Sequence, residues 1–167
     1  MGKREVVPIP IMVGKVKAAL AARRSADTLI LARTDGRSAE NVTGALKRAE
    51  SYREAGADGL YIEVLRSTTE LKRVGSALKG TPLATTMLEG GGQIGWVPPE
   101  EIHGYGFQMI LYPTTILFQL TKAMERALAG LKSGKPMAEG NAVDLDRFEE
   151  IVGMPGWQEV EKRFHKR

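Results

Sequence analysis

Tyr52-Arg53-Glu54-Ala55-Gly56-Ala57-Asp58-Gly59-Leu60-Tyr61-Ile62-Glu63 is the stretch on which the fold turns. A helix pattern ends in it, a glycine stops the helix, a short apolar run follows, and an acidic residue closes the run. Glycine just past the last helical residue is the usual helix stop. The four residues Gly59 to Ile62 are too few for a helix and read as a buried strand. The same grammar of helix, glycine and apolar strand recurs at Gly80 and Gly106.

Working outward, Thr28 to Ala32 reads as a strand before it, after an amphipathic helix over 11–24. A helix over 39–55 joins the two strands, with Ser38 as its N-cap. Downstream, Ser67-Thr68-Thr69-Glu70 is a capping box, with serine at the cap and glutamate three later. It opens a helix that ends at Gly80. Pro82 to Met87 is the third strand and Phe107 to Leu111 the fourth. Between them lie Gly90-Gly91-Gly92, as a loop, and a short helix begun by Pro98-Pro99. A long amphipathic helix then runs to about Lys132. Residues 137–143 read as a linker, and two short helices close the chain.

Strands that alternate with helices imply a parallel sheet with helical cover and right-handed crossovers. The expected fold class is therefore α/β, built of about four β/α units followed by C-terminal helices. With 167 residues the chain is shorter than the roughly 250 of a complete (β/α)8 barrel. We treat it as one partial-barrel domain, with β/α units over 1–136 and the linker and helices over 137–167.

Composition sets further bounds. There is no cysteine, so a thiolate nucleophile, a thiolate metal site and a disulfide are excluded within these residues. The net charge is +4, and its cations are interspersed with acids except in the tail from Lys162. That pattern suits a solvated helix end better than a nucleic-acid face. No apolar run is long enough to span a bilayer, and no signal peptide is evident, so the cytoplasm is the default expectation.

In parallel β/α proteins the chemistry collects beyond the carboxyl ends of the strands. The first strand ends in Arg33-Thr34-Asp35, the second at Glu63, the third near Thr85-Thr86 with Glu89 beyond, and the fourth at Tyr112-Pro113. An arginine at such a position either forks two hydrogen bonds onto a substrate carboxylate or forms an ion pair with Asp35 or Glu63. Glu63 either accepts a proton, or approaches a metal through water, or simply pairs with Arg33. Spacing alone does not choose between these. The glycine triplet lacks the flanking residues of a phosphate loop and reads as a turn or lid. His103 and His165 have no partner at metal-ligand spacing.

Several segments together carry a resemblance. Leu29 to Asp35 is similar to an I-I-A-R-T-D-A strand, and Tyr52 to Glu63 to Y-x-E-A-G-A-D-x-I-F-x-E. Leu83 to Gly91 resembles L-A-N-M-x-E-G-G, and Met109 to Pro113 resembles V-I-Y-P. Phe148 to Gly153 looks like the closing F-x-E-x-x-G. These are marks of the isocitrate lyase / phosphoenolpyruvate mutase superfamily, and their order holds across nearly the whole chain.

The resemblance implies the C-terminal half of a TIM-type (β/α)8 barrel. It implies a Mg2+-dependent lyase or mutase that cleaves or moves a C–C or P–C bond in a small 2-oxo or 2-hydroxy carboxylic acid. It assigns Glu63 a catalytic place near the metal's water shell. Arg33, Thr86, Glu89 and Tyr112 then form the substrate-binding set. Thr86 stands where many members have asparagine. Phe118 stands where lyases of larger acids have arginine, which argues for a smaller substrate.

The family's metal-ligand and catalytic cysteine segments would all precede residue 1. The expectation is thus of no direct metal ligands here and no turnover by these residues alone. The alternative is a non-catalytic half-barrel that self-associates, through its open sheet edges and the helix over 113–132, or binds a partner.

Overall fold

The structure is a computed structural model and describes residues 5–89, 94–135 and 139–165. Residues up to Phe118 form one compact unit and those from Gln119 onward a second.

The first unit opens with α1 (Ile9–Ala22), which has proline at its first turn. The strands β1 (Leu31–Thr34), β2 (Gly59–Ile62), β3 (Leu83–Thr86) and β4 (Met109–Leu111) form one sheet in the order β1-β2-β3-β4. Every pairing is parallel, with Arg33 opposite Tyr61, Tyr61 opposite Ala84 and Thr86 opposite Leu111. The connecting helices are α2 (Gly36–Ala39), α3 (Val42–Glu54), α4 (Thr68–Ala77) and α5 (Pro99–Gly104). The sequential strand order and the helical links are what the alternating apolar pattern implies.

Burial explains the layers. In β1 the side chains alternate, with Ala32 and Thr34 buried and Leu31 and Arg33 on the other face. α3 packs on β1 and β2 and against α1. Leu60, Leu71, Val74, Leu78, Leu83 and Ile102 are fully buried and tie the sheet to its helices. Burial of this kind is worth about 1.5–3 kcal/mol for each large aliphatic side chain.

Turn chemistry fixes the joints. Ser67 caps α4 by accepting the Glu70 N–H at 3.2 Å. Glu70 does not reach back to the cap residue. Its Oε2 takes the Arg66 N–H at 2.8 Å, and Arg37 binds both its oxygens through Nε at 3.1 and 3.0 Å. Gly56, Gly80 and Gly106 all have positive φ, at 100°, 84° and 100°, where a side chain would be strained.

Several boundaries differ from the sequence reading: α1 covers Ile9–Ala22 rather than 11–24, β3 is Leu83–Thr86 rather than Pro82 to Met87, and β4 is Met109–Leu111 rather than Phe107 to Leu111. β1 begins at Leu31 rather than Thr28; just before it the Asp58 carboxylate takes the Ile30 N–H at 2.7 Å, while the Ile30 carbonyl accepts the Asp58 and Gly59 N–H groups at 3.0 and 3.4 Å. The helix expected over 39–55 is two pieces. Ser38 lies within α2, and Asn41 caps α3 by accepting the Gly44 N–H at 3.0 Å. Asparagine at the N-cap competes well with serine.

α6 (Thr115–Lys132) starts in the first unit and runs into the second. The second unit also holds α7 (Leu145–Ile151), capped by Asp144, and α8 (Met154–Phe164), which pack on each other. Among the described residues no helix is long and apolar enough to cross a membrane.

Candidate functional site

The carboxyl ends of β1, β2 and β3 open onto one cavity of about 370 Å3. Its polar lining is Arg33, Tyr61, Glu63, Thr85 and Thr86. Leu65, Leu88, Ile94, Leu111 and Pro113 supply apolar wall. Parallel strands in register explain the convergence. Arg33 stands beside Tyr61 and Tyr61 beside Ala84, and Thr86 lies two residues further along β3, on the same face as Ala84.

Arg33 is the cation of this lining. Its Nη2 bonds Asp35 Oδ1 at 3.1 Å and lies 3.4 Å from Glu63 Oε1. Its guanidinium also sits 5.3 Å from the centroid of the Tyr61 ring, in cation–π geometry. The side chain stays 48% exposed despite these contacts, of which the two ion pairs run through Nη2, so part of its donor fork can still be reached by an incoming anion. Burial works to lower its pKa, but the Asp35 hydrogen bond and the Glu63 and Asp35 charges outweigh that and raise it. Arg33 is therefore a fixed positive charge.

Glu63 follows β2 directly, and its N–H bonds the Thr34 carbonyl at 3.0 Å. The next residue, Val64, has φ of 59°. A β-branched residue in the left-handed region is a strained outlier. Such strain costs on the order of 1–3 kcal/mol and concentrates at functional sites. Here Val64 lies in the cavity wall, directly after Glu63.

Tyr61 was not singled out in the sequence. Its hydroxyl donates to Glu63 Oε2 and also shares a hydrogen bond with Thr86 Oγ1. Burial, followed by the hydrogen bond to Glu63, pushes the phenol from 10.0 up to about 12. It is thus a neutral hydrogen-bond donor at ordinary pH. A signal for it existed: Tyr61 lies two residues before Glu63 on the same strand face, where the superfamily segment has phenylalanine.

The structure thus brings together Arg33, Glu63 and Thr86 of the sequence candidates. It does not bring Glu89 or Tyr112 to the cavity. Glu89 is exposed beyond β3. Tyr112 is half-exposed and stacks on Trp96, with ring centroids 5.9 Å apart. The glycine triplet at 90–92 lies outside the described residues. Near Pro113, the Oγ1 atoms of Thr114 and Thr115 are buried and have no hydrogen-bond partner among the described residues.

Comparison with known proteins agrees with this architecture. The family model for phosphoenolpyruvate phosphomutase matches residues 1–132. The chain is 35% identical over 163 residues to 2,3-dimethylmalate lyase of Eubacterium barkeri, across 96% of this chain and 56% of that one. It is 35% identical over 137 residues to 2-methylisocitrate lyase of Bacillus subtilis, across 82% of this chain and 44% of that one. A solved phosphonopyruvate hydrolase, in complex with oxalate and Mg++, aligns with a TM-score of 0.79 at 22% identity. It covers 99% of this chain and 59% of that one, and it speaks for the fold alone. The chain belongs to the phosphoenolpyruvate phosphomutase family. It spans about half the length of the curated relatives it matches.

The magnesium ion seen with that hydrolase raises the question of a metal here. Asp35 and Glu63 are the carboxylates of the rim, and both engage Arg33. Among the described residues no group of three His, Cys, Asp or Glu could hold an ion. The described residues do not amount to a metal site.

Proposed function

We propose that these residues form the substrate-side rim of a lyase or mutase acting on a small 2-oxo or 2-hydroxy carboxylic acid. The bond broken would be a C–C or P–C bond next to an enolate-like intermediate. The carrying observation is the convergence of Arg33, Glu63 and Thr86 on one cavity. In this reading Arg33 forks onto the substrate carboxylate, Thr86 offers a hydroxyl, and the apolar wall excludes water from the rest of the molecule. The family's lyases and mutases support the reaction class. The single cation of the lining favours an acid with few carboxylates, since a second one would be left buried without a partner.

Alone, this rim binds without turnover. Both oxygens of Glu63 are engaged, Oε2 by Tyr61 and Oε1 beside Arg33. That leaves it poorly placed to move a proton, and magnesium chemistry would need ligands beyond these. The test is incubation of the purified chain, with and without Mg2+, with 2-methylisocitrate, isocitrate, oxaloacetate and phosphonopyruvate. Products are read by mass. No pyruvate, glyoxylate or oxalate is expected. Turnover that Arg33→Ala abolishes would show that the rim is catalytic by itself.

A second reading rests on the sheet edges. Among the described residues β1 and β4 each pair on one side only, and Leu31, Met109 and Leu111 on them are partly exposed. Unpaired strand edges invite another chain. In this reading a second copy covers them, and light scattering would give twice the chain mass; a monomer would remove it.

A further inference from the structure

Tyr61 is buried, at 8% exposure, between two strand ends that carry polar groups. A phenol has one proton and two acceptor positions. The stronger acceptor beside it is the Glu63 carboxylate, so the proton goes there. Thr86 then donates to the Tyr61 oxygen. The order is Thr86 to Tyr61 to Glu63 Oε2, and it leaves Glu63 Oε1 as the oxygen beside Arg33, at 3.4 Å.

That order has a consequence for Arg33. A carboxylate and a guanidinium left to themselves form a bidentate pair, with two parallel N–H···O bonds. Such a pair would occupy the fork that a ligand carboxylate needs. The phenol prevents it by holding one Glu63 oxygen back.

We propose that Tyr61 is a positioning residue, whose hydroxyl holds Glu63 off the Arg33 fork and so keeps that fork open for a ligand carboxylate. The inference rests on the reading of this rim as a carboxylate site. It differs from that reading in giving the tyrosine hydroxyl, rather than its ring, control over ligand access.

Oxalate binding to the whole chain, with and without Mg2+, is measured by calorimetry for wild type, Y61F, E63Q and Y61F/E63Q. Phenylalanine keeps the ring under Arg33 and removes only the hydroxyl. Y61F is expected to weaken oxalate about tenfold, the scale of one hydrogen bond to a charged group. In the E63Q background Asp35 still bonds Arg33, at 3.1 Å, but residue 63 has no charge with which to close on the fork, so Y61F should change nothing further. Wild-type affinity in Y61F, or an equal loss in both backgrounds, overturns the proposal.

The Arg33 Nε–Hε resonance, assigned with R33K, gives a readout that needs no ligand. It should move in Y61F and stay in place between E63Q and Y61F/E63Q. If wild type binds no oxalate, the carboxylate-site reading fails while this resonance still decides whether Tyr61 controls the pair. If Y61F does not fold, Thr86→Val serves instead. It removes the donor that orients the phenol and should move the same resonance in the same direction; an unmoved resonance counts against the proposal.

Discussion

Among the arginines that make ion pairs, Arg33 and Arg48 have opposite jobs, which Arg33→Ala and Arg48→Ala would separate. Arg33 is 48% exposed and pairs with Asp35 and Glu63. Exposed pairs contribute about 0.2–1 kcal/mol each, and an exposed cation–π contact about 0.5–1 kcal/mol. Losing Arg33 should therefore cost about 1–2 kcal/mol of stability. Arg48 has only 7% of its side chain exposed. It holds Glu40 Oε1 through Nε at 3.1 Å and Nη2 at 2.5 Å, and the Val7 carbonyl through Nη1 at 2.7 Å. Hydrogen bonds to charged groups contribute about 1.5–3 kcal/mol, and the buried stem adds packing. Arg48→Ala should thus cost about 3 kcal/mol or more. Urea unfolding followed by circular dichroism reads both, and oxalate calorimetry follows on the folded variants. The expected pattern is a mild stability loss with ligand binding gone for Arg33→Ala, and the reverse for Arg48→Ala. If Arg33→Ala lost as much stability as Arg48→Ala, Arg33 would be a structural ion-pair residue and the site assignment would fall.

Other outcomes test the frame around the site. A Cβ on Gly75 would fall on the backbone carbonyl of Tyr105. Gly75→Ala should then push α4 from the turn before β4 and lower stability by about 1–3 kcal/mol; an unchanged urea midpoint would show that the contact is loose. Val64→Gly relieves a left-handed valine, about 1–3 kcal/mol, against a glycine entropy cost of about 0.5–1 kcal/mol. The net should be neutral to stabilising, and a clear loss in thermal midpoint would contradict the strain. For Glu70, burial raises the carboxyl pKa, but the Arg37 and Arg66 hydrogen bonds outweigh it, and the pKa lies below its ordinary 4.5. A depressed folded pKa means stability present above 4.5 and lost as pH falls through the lower folded value. Wild-type stability should decline over that acid range, and Glu70→Gln should flatten the decline. An identical acid limb in both proteins would argue that Arg37–Glu70 contributes nothing.

What the sequence made legible was local. β2 was readable to the residue because a glycine helix stop precedes it and a charged residue follows it. The Ser67 cap was readable because its chemistry lies within four residues. What was not legible depended on distance. At the start of β1 the Ile30 N–H is taken by the carboxylate of Asp58, 28 residues away. Ser38 was read as the cap of the helix before β2, but it lies within α2, and Asn41 caps α3. At the site, Arg33, Glu63 and Thr86 could be placed because strand ends in a parallel sheet converge. Tyr61 escaped because an aromatic inside a strand reads as core filler, and only the neighbouring strand shows what its hydroxyl meets. Glu89 and Tyr112 have the right chemistry for a rim, but the chain turns them elsewhere.

The central claim is that a small carboxylate binds where β1, β2 and β3 end. Amide chemical-shift mapping during an oxalate titration tests it most directly. The account predicts shifts at Arg33, Glu63 and Thr86 that disappear in Arg33→Ala. Shifts confined to the basic end of α8, around Lys162 and Arg163, or no shifts in folded protein, would contradict it.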